Sequence, residues 1–152
     1  MGKTQIDALM VMKEKFSDRI IEWFEKSEKR FYILIDSSNL LQIVDYIFNE
    51  VRARFIIVSG LDTPAGIELV YHFALDGAGT VVSLRVILPQ ENPRIESIAS
   101  IITGAQWIER EIREILGVEF LHHPDPRRFL MSEDWPEGVY PLRRSSVRRK
   151  EE

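Results

Sequence analysis

Apolar residues recur along residues 4–29 at spacings of three and four, with Ile6, Leu9, Met10, Phe16, Ile20, Ile21 and Phe24 set among charges. That pattern predicts one or two amphipathic helices. Residues 31–35 form a short β-prone run and read as a strand. Asp36-Ser37-Ser38-Asn39 then offers several N-cap side chains for a helix that carries Leu40, Ile43, Val44, Ile47 and Val51 on one face. Residues 55–58 read as the next strand, closed by Gly60, and Asp62-Thr63-Pro64-Ala65-Gly66 is a turn by composition. From Ile67 to Leu75 the apolar positions alternate. Asp76-Gly77-Ala78-Gly79 is a hairpin signal, because glycines accept the positive φ of tight turns. The returning strand places Val82, Leu84, Val86 and Leu88 on one side, and Pro89 stops it. Two helical stretches follow, over residues 94–102 and 104–116.

The predicted order is α-β-α-β-β-β-α-α. It implies an α+β fold in which a small mixed sheet of about four strands packs with helices in two layers. Beyond Gly117 the periodicity fails, and Pro124, Pro126, Pro136 and Pro141 punctuate what remains. The chain therefore divides into an α+β domain over residues 1–118 and an extended Pro/Arg-rich C-terminal arm over residues 119–152. An arm of this length without its own periodicity points to docking on another protein.

Composition narrows the function. At 152 residues the chain supports one domain with a real core. A net charge of -4 and a pI near 5.5 argue against a dedicated nucleic-acid binder. The basic cluster Arg143-Arg144 and Arg148-Arg149-Lys150, followed by Glu151-Glu152, reads as a solvated end. The absence of cysteine removes disulfides, thiol chemistry and cysteine-ligated clusters. No export signal is apparent, and no apolar run approaches the roughly 20 residues of a membrane span. Work at a membrane would have to pass through another subunit.

Candidate chemistry is sparse. His122 and His123, with His72 as a third, are the obvious metal candidates, but adjacent residues in extended chain point to opposite sides and chelate one ion poorly. Glu109 with Arg113, and Arg110 with Glu114, have the i,i+4 spacing of a salt-bridged surface strip, and Glu111 shares the Trp107 face. Ile108, Ile112 and Ile115 form the stripe expected to meet the sheet, leaving Trp107 to complete the core or anchor a partner. Ser37, Ser38 and Ser59 lack a nucleophile-elbow context, and no phosphate loop occurs. The arm interleaves prolines, arginines and aromatics through Arg127, Arg128, Phe129, Trp135, Tyr140 and Arg143. Proline-stiffened segments bearing Trp and Arg suit a protein interface.

These residues carry a resemblance. Ala105, Trp107 and Glu109-Arg110-Glu111 are followed by Leu116-Gly117, then His123-Pro124 with Arg127 and Arg128. Asp134-Trp135, Gly138 and Pro141-Leu142-Arg143 close the series, and Glu68-Leu69-Val70-Tyr71-His72 and the Pro93…Ser97 segment precede it. The combination resembles the thirty-kilodalton subunit family of respiratory complex I, whose members occur in membrane-bound hydrogenases too. The chain departs from the respiratory form in Phe129, in the proline of Trp135-Pro136-Glu137-Gly138, and in Arg144-Ser145-Ser146 where Lys-Asp-Tyr is usual. Those departures point toward a nickel–iron hydrogenase type of complex, and the Ile, Glu and Arg content suits a thermophile.

The resemblance implies a cofactor-free structural and assembly subunit, not an enzyme by itself. It would belong to the hydrophilic arm of a membrane-bound, ion-translocating redox complex, on the cytoplasmic side of the membrane. Its partners would be the large catalytic subunit and the small iron–sulfur subunit, which would carry the nickel–iron centre and the clusters. An NADH-, quinone- or deazaflavin-linked dehydrogenase is the alternative setting, and a free-standing protein-binding domain a further one. The residues expected at the partner interface are Trp107, Arg110, Glu111, His123, Pro124, Arg127, Arg128, Trp135, Pro141, Leu142 and Arg143, with no catalytic, cofactor or metal residue.

Overall fold

A computed structural model of the chain describes residues 2–145, with side chains from Thr4 onward. The basic residues Arg148, Arg149 and Lys150 lie outside the described residues. Helix α1 spans Gly2–Lys15 and buries Leu9 and Met12. The helical pattern that continues through residue 29 in the sequence stops there. Ile20–Ser27 is strand β1, paired antiparallel with β2 over Arg30–Ile35. Register shifts at Ile20/Glu22 and Glu25/Ser27 break the strict alternation of a strand, so β1's apolar residues fall at spacings that mimic a helix.

After β2 the Asp36 carboxylate accepts the Ser38 N–H at 3.0 Å and so caps a 3-10 turn over Ser37–Asn39, whereas Asn39, at the head of the helix that follows, makes no side-chain cap bond. Helix α2 then spans Leu40–Asp45 and continues as a wider π-type turn over Tyr46–Glu50. Strand β3, Arg54–Thr63, runs further than the four predicted residues, so that only Pro64 and Ala65 remain as the turn into β4, Gly66–Leu75. Strand β5 is Thr80–Leu88. Among the described residues these strands form a five-stranded sheet in the order β1-β2-β5-β4-β3, with β2 and β5 parallel, Phe31 opposite Val82 and Ile33 opposite Leu84. A parallel pair needs a long crossover, and the segment carrying α2 provides the start of one.

The predicted helix over 94–102 is replaced. Arg94–Glu96 is a short strand, β6, lying parallel to Glu119–Leu121, β7, with Ile95 opposite Phe120. Ile98, Ile101 and Ile102 make a single helical turn, in which the Ile98 carbonyl accepts both following N–H groups. Ile95, Ile98 and Ile102 thus imitate helical spacing while serving a strand and one turn. Helix α3 is Gln106–Leu116.

The chain divides into two compact units, residues 1–59 with 70–86 and residues 60–69 with 87–152. In the first, Phe31, Ile33, Ile35, Tyr71, Phe73, Leu75, Val82, Leu84 and Val86 join Leu9, Met12, Leu40, Ile43, Val44 and Ile47 as buried core. Strand β2 contributes alternate residues, whereas β4 and β5 also bury Val70, Ala74 and Ser83 on their other face. The second unit buries Ile67, Leu69, Leu88, Ile95, Ile98, Ala105, Ile112, Leu116, Val118 and Phe120. Within it α3 seats on Gly60 of β3, where an added Cβ would stand 2.6 Å from Leu116 Cδ1.

Two turn glycines differ in a testable way. Gly79 has φ +64 and open space around it, whereas Gly66 has φ +145 and an added Cβ would lie 2.2 Å from the Leu88 carbonyl oxygen. Gly79→Ala is expected to lose about 1 kcal/mol, the cost of a left-handed L-residue. Gly66→Ala adds a backbone clash and is expected to lose more than about 2 kcal/mol. Urea unfolding of the two variants checks the order.

Candidate interaction site on helix α3 and the returning arm

Helix α3 follows a tight turn at Thr103–Ala105 and ends at Gly117, whose φ of +76 closes the helix with an N–H bond to the Arg113 carbonyl at 3.0 Å. Its fully packed stripe is Ala105, Glu109, Ile112 and Leu116, rotated from the predicted Ile108, Ile112 and Ile115. Ile108 and Ile115 are half-buried. Glu109 therefore occupies a core position, and the surface strip expected of it is not formed. Its Oε1 accepts the Ser97 hydroxyl at 2.6 Å and its Oε2 the Ile98 N–H at 3.0 Å. Burial pushes its carboxyl up to about 7, although those two donors pull the other way.

His123 sits beside it with its side chain buried. Its Nδ1 accepts the Asp125 N–H at 2.9 Å, so the ring proton is on Nε2, which donates to the Gln106 carbonyl at 3.1 Å and stands 3.8 Å from Glu109. His122 turns elsewhere, to Glu96 at 2.8 Å, with φ +61. In the other unit His72 lies between Ser59 at 3.1 Å and Ser83 at 2.9 Å, its pKa held down by burial and then by Arg30. Among the described residues no three His, Cys, Asp or Glu side chains gather to hold a metal.

The other charged residues of α3 bind the arm's backbone. Arg110, 7% exposed, donates to the carbonyls of Arg127 at 3.0 Å and Arg128 at 2.7 Å and meets Asp125 at 3.4 Å. Arg113 donates to the Pro126 carbonyl. Glu114 accepts the N–H groups of Phe129, Leu130 and Met131 at 2.5, 2.7 and 3.3 Å. Desolvation would raise the Glu114 pKa, but these three donors and Arg110 outweigh it and hold the carboxylate below its ordinary range. The expected Arg110–Glu114 and Glu109–Arg113 pairs give way to these contacts, because an extended segment's N–H and C=O groups need partners once covered.

Other predicted contact residues also find local roles. Arg127 is exposed and bonds Asp125 at 2.8 Å. The Arg128 guanidinium bonds the carbonyls of Ser132 and Trp135 at 2.6 and 2.9 Å, and Trp135 Nε1 donates to Val139 at 2.8 Å. Leu142 donates its N–H to the Ile115 carbonyl at 3.0 Å while its side chain stays exposed, and Arg143 reaches the Gln90 carbonyl. Pro124 is exposed, whereas Glu111 and Pro141 are half-buried. Tyr140 covers Gly117, where an added Cβ would meet its ring at 2.5 Å.

Four large apolar side chains stay outside this network. Trp107, Phe129, Leu130 and Leu142 are 57, 42, 56 and 57% exposed. The Trp107 and Phe129 rings stand 5.5 Å apart, and the Arg110 guanidinium carbon lies 5.4 and 5.1 Å from their centroids. Beside them a cleft of about 490 Å³ is lined by Arg113, Glu114, Arg128, Trp135 and Tyr140, among others. The sequence pattern alone marks Phe129 as an interface-type aromatic but does not mark Asp125 or Glu114 as contact residues. A carboxylate three residues beyond Glu111 on the arm-facing side is the available signal for Glu114.

The sequence profile described as "Respiratory-chain NADH dehydrogenase, 30 Kd subunit" matches residues 33–152. The C subunit of the F(420)H(2) dehydrogenase of Methanosarcina mazei is 32% identical over 133 residues, covering 86% of this chain and 84% of that protein. The C/D subunit of the NADH-quinone oxidoreductase of Gluconacetobacter diazotrophicus is 44% identical over 85 residues, 55% of this chain and 14% of that polypeptide. In fold, the chain is similar to one solved within the membrane-bound sulfane sulfur reductase, an archaeal respiratory membrane complex, with a TM-score of 0.73 at 20% identity, covering 95% of this chain and 91% of that one.

Glu114 supplies a direct check on the arm's attachment. Its folded pKa is depressed, so its contribution is present above the unfolded value and is lost as pH falls through the folded one. Glu114→Gln at neutral pH is expected to speed amide exchange at Phe129, Leu130 and Met131 about tenfold, the equivalent of roughly one hydrogen bond. In the parent protein, acid that protonates Glu114 removes this acceptor and exposes the same amides to exchange. Hydrogen–deuterium exchange with residue resolution reads both.

Proposed function

We propose that this chain, which belongs to the 30 Kd subunit family of the respiratory-chain NADH dehydrogenase, is an assembly subunit that packs against the large catalytic subunit of its complex through α3 and the arm. At the coarser level, family and relatives make it a subunit of a complex I-like or hydrogenase-type respiratory oxidoreductase. The observation that carries the finer reading is the exposed Trp107–Phe129 ring pair over a buried Arg110, with Leu130 exposed next in the chain. Aromatic side chains fixed in place before contact are the usual anchors of protein interfaces, and contiguous exposed apolar surface marks interaction sites.

The C/D relative supports the choice of partner. There a segment similar to this chain belongs to one polypeptide whose name joins two subunit letters, C and D. Covalent union in one organism supports non-covalent association of the equivalent chains in another. In this reading the partner subunits carry the nickel–iron centre and iron–sulfur clusters, or their dehydrogenase equivalents. This chain lies peripherally on the cytoplasmic side and reaches the membrane only through them. Among the described residues no helix is long and apolar enough to cross a membrane. The Methanosarcina relative favours a second reading, a deazaflavin-linked dehydrogenase. Two paired Cys-x-x-Cys motifs in the co-purifying large subunit decide for hydrogenase, and their absence for dehydrogenase.

Co-expression of the tagged chain with that large subunit tests the docking. Trp107→Ala is expected to cut recovery of the large subunit about tenfold, the effect of a moderate interface hot spot. Val11→Ala, at a 54% exposed position on α1, should leave it unchanged. Equal recovery from both variants would place the interface elsewhere.

A further inference from the structure

The docking surface leaves Glu109 unused. Its carboxyl is fully buried, and the start of the arm completes its enclosure. A cavity of about 340 Å³ beside it is lined by Glu109, Arg110 and Arg113 from α3, by β7, and by His122, His123, Asp125 and Pro126. The cations near it are committed elsewhere. Arg110 meets Asp125 at 3.4 Å, and Arg113 holds the Pro126 carbonyl. From the packed strands, Glu96 bonds His122 at 2.8 Å and Glu119 bonds Arg94 at 3.0 Å. From the arm, His123 donates its Nε2 proton to Gln106 and stands 3.8 Å from Glu109. A carboxylate in such a place lacks a counter-ion and is costly, whereas the neutral acid is not.

We propose that Glu109 is a proton-binding site that couples protonation to closure of the arm: the closed arm holds the neutral acid, and opening releases the proton to water. The 2.6 Å contact with Ser97 serves both forms, the acid donating to the hydroxyl or the hydroxyl donating to the carboxylate. An ionised Glu109 attracts the His123 Nε2–H away from Gln106. The ring then turns off the Asp125 N–H, a bond of 2.9 Å that shapes the arm's first bend. Asp125 also holds Arg110 and Arg127, so the disturbance reaches the segment that presents Phe129.

The sign follows from linkage. Burial pushes the closed-state carboxyl up to about 7 from 4.5, so its contribution to closure is complete below 4.5 and is lost as pH rises to about 7. One proton released on opening raises the opening equilibrium about tenfold per pH unit inside that window and not above it. Glu114 is held below its ordinary range by arm N–H groups, and Asp125 by Arg127. They stay ionised throughout and contribute no slope.

The test uses the full chain alone and is therefore independent of the docking reading. Exchange of the Phe129, Leu130 and Met131 amides is followed from pH 5 to 8, corrected for intrinsic rates, alongside the carbon-13 titration of the Glu109 carboxyl. The expected result is a carboxyl midpoint near 7, an opening equilibrium rising about tenfold per unit up to that midpoint, and a flat profile in Glu109→Gln. A carboxyl midpoint near the ordinary glutamate value, or a slope that survives Glu109→Gln, overturns the proposal. Where Glu109→Gln does not fold, Ser97→Ala serves. Loss of a donor to the carboxylate should move the midpoint upward and the exchange profile with it, and an unmoved midpoint overturns the coupling.

Discussion

The backbone of the arm needs partners, and helix α3 is built to supply them. An extended segment laid over a domain covers N–H and C=O groups that a sheet or helix would otherwise satisfy. Here the covering helix carries donors and acceptors in the order the backbone presents them. Arg113 and Arg110 meet the carbonyls of Pro126, Arg127 and Arg128, and Glu114 meets the N–H groups of the next three residues. The dense alternating charge of α3 is thus a template for one stretch of irregular chain. Exchange Arg110 and Glu114 and the same charges would face the wrong backbone groups.

Everything the arm displays follows from that fit. Phe129 reaches Trp107 because Arg110 and Glu114 hold the backbone on either side of it. Arg110 is at once the clamp on the arm and the cation beneath both rings. Further along, Arg128 closes a loop onto Ser132 and Trp135, and Tyr140 rests on Gly117, where any larger residue would displace it. An apolar patch assembled this way exists only while the arm is seated. A surface ordered in this way loses less entropy on association than a mobile one.

Legibility in the sequence tracks regularity. Strands β4 and β5 are plain because every second residue is apolar and a glycine-rich turn joins them. Strand β1 is hidden by its two register shifts, and β6 and β7 by being three residues long, too short for any period to show. The arm's departure from periodicity is visible, as are Arg110 and Trp107 as contact residues. The destination of their contacts is not, since backbone carbonyls leave no trace in a sequence. Glu109 misleads because a glutamate among arginines ordinarily faces water. Counting from Ala105 and Leu116 instead of from the isoleucines would place it on the packed face.

A leucine or methionine at position 109 would satisfy the same stripe without desolvating a carboxyl, and buried ionisable groups are often less stabilising than apolar ones of similar volume. The glutamate does something neither could. It takes one hydroxyl and one backbone N–H from the Ser97–Ile98 turn, and so fixes the end of β6 against α3. It also stands 3.8 Å from the buried His123 side chain near the start of the arm. An apolar residue would fill the same position but would leave the Ile98 N–H without its Glu109 acceptor and the Ser97 hydroxyl without its carboxylate partner. The carboxyl is therefore best understood as the point where three segments, β6, α3 and the arm, are brought into one register. A group hydrogen-bonded to one segment and 3.8 Å from a buried imidazole of another passes a change in its own charge to both.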